Sequence, residues 1–140
     1  MTLYESRPVG VVIAAPADEV YDFVGDPKNI HRWATGLTPT QATQVEGRWF
    51  MDSSLGRVRL QFAPRNPFGV ADHTITLPDG TVIDVPLRVL ANGDGAEVAI
   101  TVRRRKGLSM DEWDEDCLRV ADDLETLRLL FEREEEPAPR

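Results

Sequence analysis

The chain has 140 residues, 41% of them apolar and 29% charged, and carries a formal net charge of -8. That length suits one domain around a single core, and no apolar run approaches the roughly 20 residues of a membrane-spanning helix. The negative charge argues against a nucleic-acid partner. With no basic segment and apolar stretch at the start of the chain, a cytoplasmic address is expected.

From Arg7 to Ile13 the residues are dense in β-branched side chains and stop at Ala14-Ala15-Pro16, the pattern of a strand ended by a proline. Pro16 suits the first position of a helix. Asp18 and Glu19 favour its positive end, and Val20, Phe23 and Val24 share one apolar face before Gly25. Asp26-Pro27 repeats the cap-then-proline signal and predicts a second short helix through Ile30 to about Trp33. A loop is expected from Ala34 to Pro39.

Five segments of strand character follow: Ala42 to Met51, Arg57 to Ala63, Val70 to Leu77, Thr81 to Leu90 and Glu97 to Arg103. Pro78-Asp79-Gly80 and Asn92-Gly93-Asp94-Gly95 are reverse-turn sequences, so consecutive antiparallel pairing is the simplest topology. Alternation puts Val58, Leu60 and Phe62 on a dry face and Arg57, Arg59 and Gln61 on a wet one. The same alternation sets Ile83, Val85, Leu87 and Val89 against Asp84 and Arg88. It also sets Val98, Ile100 and Val102 against Glu97, Thr101 and Arg103.

Ser109 and Glu112 form an S-x-x-E capping box ahead of an apolar periodic run. Met110, Trp113, Cys117, Val120 or Ala121, Leu124, Leu127 and Phe131 recur at threes and fours, which requires one stripe of a long helix to be buried. About 24 residues of helix span roughly 36 Å, enough to cross the dry face of the sheet. The expected domain is 1–133, followed by an acidic and then Pro-rich tail, 134–140, that reads as disordered.

The expected class is therefore α+β. A curved antiparallel sheet of about six to seven strands wraps a long C-terminal helix, with two short helices after the first strand. That order is the helix-grip arrangement. The chain resembles the START and birch-pollen-allergen (SRPBCC) superfamily, in particular an uncharacterised subgroup of its bacterial polyketide cyclase/dehydrase-like branch. The residues Val12-Ile13-Ala14-Ala15-Pro16-Ala17-Asp18-Glu19-Val20-Tyr21-Asp22-Phe23-Val24, Asp26-Pro27-Lys28-Asn29 and Trp33 carry the N-terminal likeness. Asp72 to Gly80, Val85 to Val89 and Asn92 to Gly95 carry the rest. The resemblance implies a cavity between the concave face of the sheet and the long helix, entered near the loops and short helices. Large apolar groups of this chain fit its walls: Trp33, Trp49, Met51, Ile75, Ile83, Val85, Leu87, Val98, Ile100, Met110, Trp113 and Cys117. The same groups can also interdigitate into a filled core.

The chemistry of the sequence is sparse. It lacks G-x-S-x-G, H-E-x-x-H and Gly-rich phosphate-loop motifs. Its two histidines, His31 and His73, have no ligand spacing, and the one cysteine, Cys117, leaves no disulfide or thiolate cluster to expect. No metal or cofactor is expected. His73 is the exception to a bland reading. If Ile75 and Leu77 face inward, so does His73, either as a core residue bonded to a nearby carbonyl or hydroxyl, or as a ligand-orienting or catalytic group. Asp72 should point the other way, towards Arg59 and Arg88. The leading reading is a carrier or sensor of a small hydrophobic, lipid-like or aromatic ligand. An aromatase/cyclase-type enzyme and a chaperone-cofactor-like interaction module are the alternatives, and a homodimer is possible. The run Arg103-Arg104-Arg105-Lys106 reads as a solvated strand end rather than an anion or membrane-surface patch.

Overall fold

The computed structural model describes residues 1–34 and 40–135. The expected loop residues 35–39 and the tail residues 136–140 lie outside them. The first strand is β1 (Ser6–Ile13), followed by α1 (Ala17–Val24), a 3-10 turn (Pro27–Asn29) and α2 (Ile30–Trp33). Pro16 caps α1 in an extended conformation and does not occupy its first turn, while its carbonyl accepts the Val20 N–H at 3.1 Å. Asp26 accepts from the Lys28 N–H at 3.0 Å, which satisfies a donor left open at the start of the 3-10 turn.

Eight strands form where six to seven were expected, because two of the expected segments are divided. Glu46 and Gly47, both at positive φ, make a two-residue turn between β2 (Thr43–Val45) and β3 (Arg48–Ser53). Pro86 divides the fourth segment into β6 (Val82–Val85) and β7 (Leu87–Asn92), since proline offers no N–H to a ladder. With β4 (Gly56–Phe62), β5 (His73–Thr76) and β8 (Gly95–Arg103), these pair antiparallel in the orders β2-β3-β4-β5-β6 and β1-β8-β7. The chain crosses from one sheet to the other at Pro86. Ala71 N–H to Leu87 carbonyl and Val89 N–H to Gly69 carbonyl, both 2.9 Å, stitch the second sheet to the segment entering β5. The result is one curved antiparallel surface.

The last element, α3 (Met110–Glu135), begins with the expected capping box: Glu112 N–H donates to Ser109 Oγ at 3.1 Å and Ser109 N–H to Glu112 Oε1 at 3.0 Å. It runs two residues past the expected boundary at Arg133. Arg128 braces its last turns by pairing with Glu125 and Glu132. The helix packs chiefly on β1, with further contact to α2 and β8. Leu124 and Leu127 meet Ile13, Val98 and Leu87 in the core, and Phe131 meets Phe23 edge-on, with ring centroids 5.4 Å apart.

Candidate functional site

Strand register places the expected concave-face residues in adjoining rows. Phe62, His73 and Val85 lie opposite one another on β4, β5 and β6. Trp49, Leu60, Ile75 and Ile83 form the next row, and Met51 faces Val58 beyond it. Met51, Leu60 and Ile75 are buried, while Trp49, Phe62, Ile83 and Val85 keep part of their surface accessible. On the other sheet, Leu87 opposes Ile100 and Val98 opposes Val89, all buried.

His73 faces inward, as the alternation requires, and is 5% exposed. Its ring stacks on Phe62, with centroids 4.4 Å apart and planes 19° apart. Nδ1 lies 3.1 Å from the Ala71 carbonyl, and a carbonyl only accepts, so Nδ1 carries the proton. Burial holds the imidazole below its ordinary pKa, against the smaller opposing effects of the Ala71 carbonyl and the Asp72 charge. The ring is neutral at pH 7. Nε2 is left as an acceptor with no hydrogen bond to any described residue.

Asp72 points to the other face. Its carboxylate takes a two-pronged contact from Arg88, at 3.0 and 2.9 Å, and the Leu87 N–H at 2.9 Å. Chiefly through the Arg88 contact, these bonds hold the carboxyl below its ordinary value. Arg59 stays out of this ladder, contrary to expectation, because it sits opposite Thr76 on the neighbouring strand.

Trp33, at the end of α2, is 2% exposed and lies in the core. Its indole N–H is buried and has no partner among the described residues. Trp113 is different: its N–H donates to the Val102 carbonyl at 3.3 Å, and the Arg7 guanidinium lies 3.9 Å from its ring centroid. Arg7 also pairs with Asp114 and contacts Met110 Sδ at 3.4 Å, with Cys117 within its reach. Met110 is 43% exposed and Cys117 is half-buried. These three α3 residues thus gather on Arg7 at the start of β1, Trp33 stands on α2, and the remaining expected residues lie on the strand rows.

A cleft of about 260 Å³ opens between the end of α1 and the segment joining β4 to β5, bounded by Tyr21, Gly25, Phe62 and Ala71. Phe62 stacks on His73 and the Ala71 carbonyl meets its Nδ1, so the cleft shares two residues with the surroundings of the imidazole. Tyr21 is buried, and its hydroxyl oxygen accepts the Asn66 N–H at 3.0 Å. Phe62, Arg7 and Asn66 were not among the expected site residues. Only Phe62 left a signal, through its alternation with Val58 and Leu60. Among the described residues, no three His, Cys, Asp or Glu side chains are grouped to hold a metal ion, and no helix is long and apolar enough to cross a membrane.

The architecture is that of a helix-grip protein with an SRPBCC, polyketide cyclase-like fold. CalU16 from Micromonospora echinospora shares it at a TM-score of 0.67 and 18% identity, over 96% of this chain and 78% of that one. DynU16, a protein in the dynemicin biosynthetic locus, shares it at 0.65 and 19% identity; the match covers 89% of this chain and 46% of DynU16, so the chain spans about half that protein's length. The Aha1 dimer from Colwellia psychrerythraea matches at 0.70 and 13% identity, over 94% and 99% of the two chains. Neither a family profile nor a curated protein sequence matches. The expected resemblance therefore rests on the fold.

Proposed function

We propose that the protein binds a small hydrophobic molecule, lipid-like or aromatic, over the concave rows beneath α3, as a cytoplasmic carrier or sensor. The observation that carries this reading is His73: a neutral imidazole fixed by its own backbone, set between Phe62 and Val85, with Nε2 left unpaired in an apolar wall. The Trp33 N–H, buried without a partner among the described residues, costs about 1–3 kcal/mol, which a ligand group of complementary chemistry recovers. It adds a donor to the Nε2 acceptor. The ligand these groups suit has an apolar body, one hydroxyl or N–H for Nε2 and one carbonyl or ether oxygen for the indole. The test is native mass spectrometry of protein purified from its own source, followed by titration of the co-purifying molecule into wild type and His73→Phe. A folded variant that binds as tightly as wild type removes the reading.

A second reading has its own support. A neutral imidazole with a free nitrogen is a competent general base, and DynU16 comes from a biosynthetic locus, so a cyclase-type activity would use the same wall. Turnover of a candidate polyketide by wild type and its loss by about 100-fold or more in His73→Phe, with binding kept, would favour it. A homodimer, as in the Aha1 relative, is open to sedimentation analysis.

A further inference from the structure

Five arginines of this chain pair with acids elsewhere in the fold: Arg7 with Asp114, Arg65 with Asp22, Arg88 with Asp72, Arg119 with Asp116 and Arg128 with Glu125 and Glu132. The run Arg103 to Lys106 is matched only in part. Within it, Arg104 donates to the Leu108 carbonyl at 2.9 Å and to Glu5 at 3.0 Å, which leaves Arg103, Arg105 and Lys106 with no hydrogen bond or ion pair to any described residue. Three cations without an acidic partner among the described residues thus lie within four positions of a chain whose net charge is -8.

That turn is also concave. Arg105, Lys106 and Gly107 form one wall of a cleft of about 380 Å³, and the segment Thr2 to Glu5 forms the other. The walls are held at a fixed distance, because the Arg104 N–H donates to the Glu5 carbonyl at 2.8 Å while the Arg104 side chain holds the Glu5 carboxylate. The cleft's acidic group is therefore already engaged, and two cations remain over it. Gly107, at φ +89° with open space where a Cβ would sit, lets the chain turn back towards Leu108 and leaves room beside the cations. Glu112, in the first turn of α3, is committed to the Ser109 N–H.

We propose that this cleft is a binding site for a phosphate group, separate from the concave rows around His73. A guanidinium and an ammonium on adjacent residues suit a compact group with several charged oxygens, the guanidinium through its donor fork and the ammonium as a point charge. The chain's overall negative field opposes any anion, so binding here rests on the short-range contact with these two cations and should weaken as salt screens them. The phosphate can belong to a small soluble compound or to a lipid headgroup. Leu3, 82% exposed, and Tyr4, beside it on the opposite wall, supply apolar surface that only the second source would use.

The test uses the full chain and a double variant, Arg105→Gln with Lys106→Gln. Since neither side chain is paired in the fold, the variant should melt as wild type does. Backbone amide shifts are followed during titration with inorganic pyrophosphate, and co-sedimentation is measured with phosphatidylcholine vesicles with and without phosphatidylglycerol. Saturable shifts centred on residues 3–5 and 104–108 support a soluble phosphate ligand, and sedimentation only with the anionic vesicles supports a headgroup. In either arm the double variant should weaken binding by roughly 30-fold, from about fivefold per cation. Failure to saturate with pyrophosphate at millimolar concentration, together with no preference for anionic vesicles, overturns the proposal. So does binding that the double variant leaves unchanged.

Discussion

Gly69 is the position where backbone geometry and space together forbid a side chain. Its φ is +73°, and a Cβ built on it would sit 2.1 Å from the Val89 carbonyl oxygen. That approach exists because Val89 N–H donates to the Gly69 carbonyl at 2.9 Å, one of the bonds that join the segment before β5 to β7. The segment cannot easily move away. The Asn66 side chain holds it from inside, accepting from the Phe68 and Val70 N–H groups at 3.0 and 3.1 Å and donating to the Pro64 and Val70 carbonyls at 3.0 and 2.8 Å. Gly69→Ala therefore bears a left-handed conformation, about 1–2 kcal/mol, and a broken backbone bond with its partners left unsatisfied, about 1–3 kcal/mol. Gly80 is the control, because its φ is +89° but nothing lies within 4 Å of its Cβ position. Gly80→Ala should cost only the conformational part, about 1–2 kcal/mol. Urea unfolding of both variants measures the difference, with unchanged slopes marking a pure stability effect. If Gly69→Ala unfolds at the same midpoint as Gly80→Ala, the segment is free to move and the rigid wall assigned to the cleft beside Phe62 is wrong.

Leu124→Ala removes a side chain that is 1% exposed at the junction of α3 with the core, and should cost about 2–5 kcal/mol in a thermal or urea melt. Ser109→Ala deletes half of the capping box and should cost about 1 kcal/mol, with Glu112→Ala adding less than its full single cost in the double variant. The pKa of His73 is lowered in the fold, so as pH falls below its ordinary value near 6.5 the unfolded chain takes up a proton that the native ring refuses. Stability should then decline from about pH 6.5 downward, and His73→Phe should flatten that part of the stability curve. Asp72 acts lower on the scale: its lowered pKa contributes stability above the unfolded value, lost as pH falls through the native one, and Asp72→Asn should abolish that part of the acid limb.

The elements that the sequence made legible are those whose signals are local. The S-x-x-E pattern at Ser109 and Glu112 forms its two reciprocal bonds as read, because both partners lie within one helical turn. Alternation at Val58, Leu60 and Phe62 marks the inward face because strand geometry has period two. The strand count fell short for a local reason as well. Pro86 sits inside a run whose apolar and polar residues alternate on both sides of it, and a proline there marks the end of a ladder, yet the unbroken alternation conceals the break. Glu46-Gly47 turns through two positive-φ residues without the Asn or Asp that usually announces such a turn.

The candidate site was legible only as far as its face. Period two is enough to turn His73 inward, and the Ala71 carbonyl that fixes its tautomer lies two residues away. What closes round Met110, Trp113 and Cys117 is Arg7, more than a hundred positions earlier in the chain, and no spacing rule connects them. That pairing changes the meaning of the α3 stripe. Its first turns are engaged by a cation and a satisfied indole, so their surface is already occupied. Among the described residues the buried side-chain polar atoms without a partner are instead His31 Nδ1 and the Trp33 N–H on α2 and Arg59 Nε on β4. On the binding reading proposed above, substitutions at Phe62 and Val85, which flank the His73 imidazole, should change ligand affinity more than equal-sized ones at Met110, as titration of the co-purifying molecule measures.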